Sequence, residues 1–299
     1  MAELLAHGTV VLDGGLSNAL EDRGHDLSSD LWTARLLRDD PGEIVAVHRA
    51  YFAAGARVAT TASYQASVPG LMAAGASRTE AEGLIAASVR LAREARDEAA
   101  AHTDAPLFVA ASVGPYGAAL ADGSEYTGRY GRTAAELRDF HGPRLELLAA
   151  AGPDLLAVET IPDSDEAEVL VPLLDELGMP AWLSYSVADG TTRAGQPLAA
   201  AYEVLSGSTT IRAAGVNCSA PADVLTAVRT AVAVTGQPGV AYPNRGEAWD
   251  NASHTWAGRG SFDSRDVRSW IAAGAQLVGG CCRVGAEDIA AIADVAAAT

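Results

Sequence analysis

The sequence predicts an α/β protein, a single (β/α)8 barrel of the TIM type over residues 1–299. Eight short apolar, β-branched runs alternate with stretches of 3.6-residue period. The length of 299 residues suits one barrel of ~250 residues with loops. No low-complexity linker and no internal repeat divides the chain. An open doubly wound sheet is the competing topology, and strand count alone does not exclude it.

The expected strands are Thr9–Asp13, Arg57–Ala62, Leu107–Ser112, Leu155–Glu159, Ala181–Ser186, Ala214–Asn217, Gly239–Tyr242 and Gln276–Gly279. Their near-continuous apolar character, bounded by turn residues, fits strands buried on both faces. Helix starts are marked between them. Thr79 with Glu82, and Thr133 with Glu136, have the spacing of capping boxes. After Thr79, Leu84, Ile85, Leu91, Ala92 and Ala95 share one face, and Arg90, Arg93 and Arg96 turn toward water. Pro221 suits the first position of a helix after Ser219, where its missing amide costs nothing. Pro143 argues for a kink or a restart in the stretch from Thr133 to Ala151. Long loops, Gly14–Asp40, Ser63–Ser77 and Val113–Arg132, follow the first three strands, and loops in that position build the functional face of a barrel.

Composition removes several function classes. Acidic residues outnumber basic ones 38 to 21, for a net charge of −17, so nucleic acid and anionic membrane surfaces are poor partners. All 21 basic residues are Arg. Without Lys there is no Schiff base, no pyridoxal phosphate aldimine and no P-loop lysine. No secretory signal and no apolar stretch of membrane-spanning length is evident, and three Cys, two of them adjacent, read as reduced thiols in the cytoplasm.

In a barrel, the strand ends Asp13, Ser63, Ser112, Glu159, Ser186, Cys218, Tyr242 and Cys281 converge on one rim. Every Cys of the chain falls there, Cys218 after the sixth strand and Cys281 with Cys282 after the eighth. Three thiols could bind Zn²⁺ and leave its fourth tetrahedral position open for catalysis. They could also be packed as small hydrophobes, act as a redox pair, or form a structural site closed by His25 or His254. Glu159, at the end of an apolar run, needs a cation or hydrogen bonds if sheltered. Asp13 stands before two glycines that permit close backbone approach, although Asp-Gly-Gly also shapes simple turns. The two carboxylates suit either an acid/base pair or the grip on an ammonium. Trp32, Tyr64, Tyr116 and Trp249, with the turn-rich segments 122–128 and 242–247, could wall a pocket for a cationic ligand.

Seven segments in order resemble the homocysteine S-methyltransferase family: Leu-Asp-Gly-Gly, Thr-Ala-Ser-Tyr-Gln-Ala, Ser-Val-Gly-Pro-Tyr-Gly, Asp-Gly-Ser-Glu-Tyr, Glu-Thr-Ile-Pro, Gly-Val-Asn-Cys and Gly-Gly-Cys-Cys-Arg. The resemblance runs from about Thr9 to about Ala290, and is strongest to the branch using S-methylmethionine or, less efficiently, S-adenosylmethionine. It implies one Zn²⁺ per chain on Cys218, Cys281 and Cys282, and methyl transfer from a sulfonium to homocysteine, forming methionine, with no acid/base residue. It implies that Asp13 and Glu159 hold the homocysteine ammonium and that Asn217 shapes the site. Ser63 and Tyr116 complete the expected substrate-binding set. Arg245 departs from the small polar residue common in relatives, and must turn from a sulfonium or meet a carboxylate. Betaine as donor, selenocysteine as acceptor, and a non-catalytic zinc- or thiol-sensing barrel are the competing readings. A monomer or small homo-oligomer is expected.

Overall fold

A computed structural model describes residues 2–6, 8–25, 27, 33–250 and 255–299. The eight expected runs all form strands: β1 (Val10–Val11), β2 (Val58–Thr60), β3 (Phe108–Val113), β4 (Leu155–Ile161), β5 (Ala181–Tyr185), β6 (Ile211–Asn217), β7 (Gly239–Tyr242) and β8 (Ala275–Val278). They pair in parallel in chain order, β1 pairs β8, and a parallel bridge from Leu12 to Val58 joins β1 to β2. This is a (β/α)8 barrel, and the open doubly wound alternative is excluded.

A helix returns the chain after each strand: Pro41–Ala53, Arg78–Ala100, Ala134–Ala150, Ser164–Leu177, Leu198–Glu203, Pro221–Thr235, Val267–Ala272 and Ala286–Ala297. Thr133 makes the expected capping box with Glu136, and Pro221 opens its helix. Two local expectations fail. The N-cap of Arg78–Ala100 is Ser77, whose hydroxyl accepts from the Glu80 amide, so Thr79 already lies inside the helix. The helix Ala134–Ala150 runs through Pro143 without a restart. The carbonyl that proline deprives of a donor is that of Asp139, four residues earlier, and Asp139 is exposed so that water can satisfy it. Arg96 is half-buried and pairs with Asp154 instead of facing open water.

Side chains alternate along each strand, and one set fills the barrel interior. Val10, Leu12, Val58, Phe108, Ala110, Leu155, Ala157, Trp182, Ala213, Val240, Tyr242 and Leu277 form this inner cluster. The opposite set, including Val109, Ala111, Leu156, Val158, Leu183, Ala214 and Val216, packs against the helices. The inward period has a functional result. Phe108–Ala110–Ser112, Leu155–Ala157–Glu159, Trp182–Ser184, Ala213–Gly215–Asn217 and Val240–Tyr242 each climb from an apolar or small side chain to a polar one at the carboxyl end. The apolar plug is therefore roofed by a layer of polar groups. No helix among the described residues is long and apolar enough to cross a membrane.

Candidate active site and metal centre

That polar layer floors a cavity lined by Asp13, Thr60, Tyr64, Gln65, Tyr126, Glu159, Thr160, Cys218, Tyr242, Cys281, Cys282 and the segment 14–18. Among the described residues, no Lys, Arg or His lines it.

The three cysteines, distant in sequence, gather because β6 and β8 flank β7. The 218 backbone has φ of +47°, a turn that a side chain rarely adopts, and it brings Cys218 to the cavity directly after the inward Asn217. On the β8 side, the chain 14–18 packs beneath Cys281. A Cβ on Gly15 would lie 2.7 Å from the Cys281 carbonyl oxygen, so the glycine serves contact between two loops. The Cys218 Sγ lies 3.7 Å from that of Cys282, and the Cys281 and Cys282 sulfurs are 4.0 Å apart. All three sulfurs lie within 4.8 Å of one another. A tetrahedral ion with metal–sulfur bonds of ~2.3 Å requires sulfur–sulfur edges of ~3.8 Å, so the donor set fits a thiolate-bound metal. Hydrogen bonds from Cys281 and Cys282 hold the Cys218 thiol well below its ordinary range, while their contacts with Cys218, and burial, push Cys281 and Cys282 up. Lowering one thiol of the three favours the deprotonated form that a metal ligand requires. The Tyr126 hydroxyl lies 3.4 Å from Cys218 Sγ. His25 does not close the cluster: its Nε2 lies 3.3 Å from a Glu43 oxygen. His254 lies outside the described residues.

Asp13 and Glu159 both face this cavity as buried acids. Asp13 accepts from the Thr60 amide at 2.7 Å and the Thr60 hydroxyl at 2.8 Å. Burial nevertheless raises its pKa to about 8, with the nearby charge of Glu159 adding to the rise. Glu159 accepts from the Ser112 hydroxyl. Burial raises its pKa to about 7, against the lowering effect of Ser112 and Tyr242. Two sheltered carboxyls with no basic side chain beside them in the cavity make a strong seat for a small cation.

Asn217 braces the floor. Its Oδ1 accepts from the Thr160 amide at 2.7 Å and the Ser184 hydroxyl at 2.8 Å, and its Nδ2 donates to the Thr160 hydroxyl at 2.8 Å. Thr160 has φ of +61°, costly for a β-branched residue at ~1–3 kcal/mol, and this clamp holds it. Ser184 also pairs with the Tyr242 hydroxyl at 2.8 Å, which accepts from Trp182 Nε1 at 2.9 Å. A polar ladder thus runs from inside the barrel to the rim.

Ser63 and Tyr116 are not among the residues lining the cavity. Ser63 is fully buried, its hydroxyl donating to the Ser112 carbonyl and paired with Thr61. Tyr116 packs between Tyr130 and Phe140, and its amide donates to Glu166. Tyr64, one of the four expected aromatics, and Tyr126 take the pocket positions. Trp32 lies outside the described residues, and the Trp249 side chain is not described. Arg245 reaches Asp288 at 3.2 Å, meeting a carboxylate away from the cavity. Arg144 is a functional support that sequence reasoning missed. Buried inside the helix Ala134–Ala150, it donates to the carbonyls of Ser63, Tyr64 and Gly114 and so pins the loops after β2 and β3. Its place right after the helix-internal Pro143 is the only sequence signal pointing to it.

The family model for homocysteine S-methyltransferase matches residues 10–296. The chain belongs to the homocysteine S-methyltransferase family. Homocysteine S-methyltransferase 1 of Zea mays is 42% identical over 97% of this chain and 95% of its own. A homocysteine S-methyltransferase of Bacillus subtilis is 43% identical, covering 95% and 93% respectively. Among solved structures, the metallated form of the homocysteine methyltransferase MmuM from Escherichia coli superimposes with a TM-score of 0.89 at 40% identity, covering 98% of both chains. The apo form of MmuM gives 0.78.

Proposed function

We propose that this homocysteine S-methyltransferase family member moves a methyl group from a sulfonium donor to the thiol of L-homocysteine, forming methionine, with one zinc ion per chain. S-methylmethionine is the principal donor in this reading, and S-adenosylmethionine is a second. One observation carries it: three sulfurs within 4.8 Å of one another share a cavity with two buried carboxyls and, among the described residues, no basic side chain.

Cys218, Cys281 and Cys282 would hold the zinc, which supplies the Lewis acidity that keeps a substrate thiol deprotonated at neutral pH. Three thiolate ligands suit zinc, and their charge keeps an attacking sulfur electron-rich. Asp13 and Glu159 grip the homocysteine ammonium, which aims its thiol toward the cysteines. Tyr64 and Tyr126 wall the cavity and exclude water. As the carbon–sulfur bond to homocysteine forms and that to the donor sulfur breaks, thiolate and sulfonium become two neutral thioethers. The protein needs no proton shuttle and acts by holding sulfur, carbon and sulfur in line. The three cysteines must stay reduced to hold a metal, which supports a cytoplasmic setting in this reading.

Methionine formation by the zinc-loaded chain, with homocysteine and S-methylmethionine, S-adenosylmethionine or betaine in turn, tests the proposal. Turnover with sulfoniums and none with betaine is expected. Betaine as the sole competent donor, or selenocysteine as the sole acceptor, would replace it.

A further inference from the structure

Arg193 takes no part in the chemistry above, yet it stands behind one of the three cysteines. The loop after β5 doubles back on itself, Val187–Ala188 pairing antiparallel with Thr191–Thr192, and Arg193 follows directly at the base of this hairpin. Its amide donates to the Ser186 carbonyl at 3.2 Å, which fixes where the side chain starts. Its Nε donates to the Ser186 hydroxyl at 3.1 Å, and that hydroxyl donates to the Cys218 carbonyl at 3.1 Å. The guanidinium carbon also lies over the Tyr126 ring, 5.8 Å from its centre, and the Tyr126 hydroxyl lies 3.4 Å from Cys218 Sγ. One guanidinium thus reaches both ends of Cys218, the carbonyl through Ser186 and the sulfur through Tyr126. A neighbouring contact keeps the two loops together: Arg129 Nη2 donates to the Ala194 carbonyl at 2.6 Å.

Cys218 needs such holding. Its φ of +47° is rare for a residue with a side chain, and this turn decides where the sulfur points. A thiolate bound to a metal carries no hydrogen, so the Tyr126 hydroxyl must then be the donor. A cation over the face of a tyrosine is attracted to its ring electrons. Drawing those electrons from the phenol oxygen makes its O–H a better donor to sulfur. Three thiolates on a divalent ion also leave a net negative charge, which a nearby guanidinium offsets.

We propose that Arg193 is a positioning residue of the metal centre, bracing Cys218 at its carbonyl through Ser186 and at its sulfur through Tyr126. The brace rests on the thiolate metal site of the reading above and adds to it a residue that touches neither substrate nor ion.

The test measures the Zn²⁺ affinity of the reduced, metal-free chain by competition with a chelator, and the thiolate-to-metal absorption of the Co²⁺-loaded chain. Arg193→Met keeps much of the bulk but loses the charge and the Nε donor. It should raise the Zn²⁺ Kd by ~10–100-fold, as expected for a partner behind a metal ligand, and shift the Co²⁺ band. Tyr126→Phe should act in the same direction, and the double variant should lose less than the product of the two single effects, because both cut one path. Arg193→Lys keeps the charge without the planar fork and should recover only part of the loss. An unchanged Kd and Co²⁺ spectrum in Arg193→Met, with circular dichroism intact, overturns the brace and leaves the metal site standing. Full recovery in Arg193→Lys overturns it too, since charge alone would then suffice. Failure of the unaltered chain to bind either ion overturns the metal reading, and the brace falls with it. If Arg193→Met does not fold, an unchanged Kd and spectrum in Tyr126→Phe decides against the brace.

Discussion

Glu159→Gln separates a cation seat from an acid/base pair. If the homocysteine ammonium requires both carboxyls ionised, its capture is lost as pH falls through their pKa values in the free enzyme. Glu159, at about 7, is ionised to ~10% at pH 6, and Asp13, at about 8, to ~1%. The kcat/KM for homocysteine should therefore climb with pH, with a logarithmic slope approaching two below pH ~7 and flattening above ~8. Glu159→Gln removes one ionisation, so the slope should fall to about one, governed by Asp13. At pH ~8 the lost charge-assisted hydrogen bond, worth ~1.5–3 kcal/mol, should raise the homocysteine KM by ~10–100-fold with a smaller change in kcat. The assay is methionine formation across pH 6 to 9 in constant ionic strength, with zinc content measured for each protein. An unchanged KM with a slope still near two would refute the seat. A large fall in kcat at constant KM would point to proton transfer.

Two further outcomes test the cluster and its brace. Cys218→Ala should lose both bound metal and turnover while circular dichroism stays that of the folded barrel, because the residue contributes a ligand and little core volume; metal analysis and activity check this, and a fully active variant refutes the ligand assignment. Asn217→Ala strips partners from the Thr160 amide and the Thr160 and Ser184 hydroxyls. At ~1–3 kcal/mol for each buried group left unpaired, thermal denaturation should shift down by several degrees, and an unaltered Tm would mean the clamp carries no load.

The barrel was legible because buried parallel strands are apolar on both faces, so all eight runs stood out. Glu159 was legible for a related reason, since a carboxyl ending such a run has few ways to reach water. The cysteines were legible as a set because all three sit at strand ends. Orientation within loops was not. Ser63 and Ser112 are both strand-end serines, yet the Ser63 hydroxyl is spent on the Ser112 carbonyl while Ser112 donates to Glu159. Likewise Tyr116 and Tyr126 occupy equally turn-rich segments, and only the packing of one loop on the next sends Tyr126 to Cys218 and Tyr116 to Phe140. The two glycines after Asp13 do line the cavity, but the sequence did not show that Gly15 also closes against the Cys281 carbonyl. Ser77 outcompeted Thr79 as a cap because both lie within reach of the same helix start.

The placement of the sulfurs has a mechanical side. Cys218 leaves one stave of the barrel and Cys281 with Cys282 leave the next but one, so an ion gripped by all three is a rivet across the upper hoop. An ion held there would tie two loops together, including the one that rests on the chain beside Asp13. In the proposed reaction, scarcity of the metal would therefore loosen the amino-acid seat along with the thiol activator, and both would fail together.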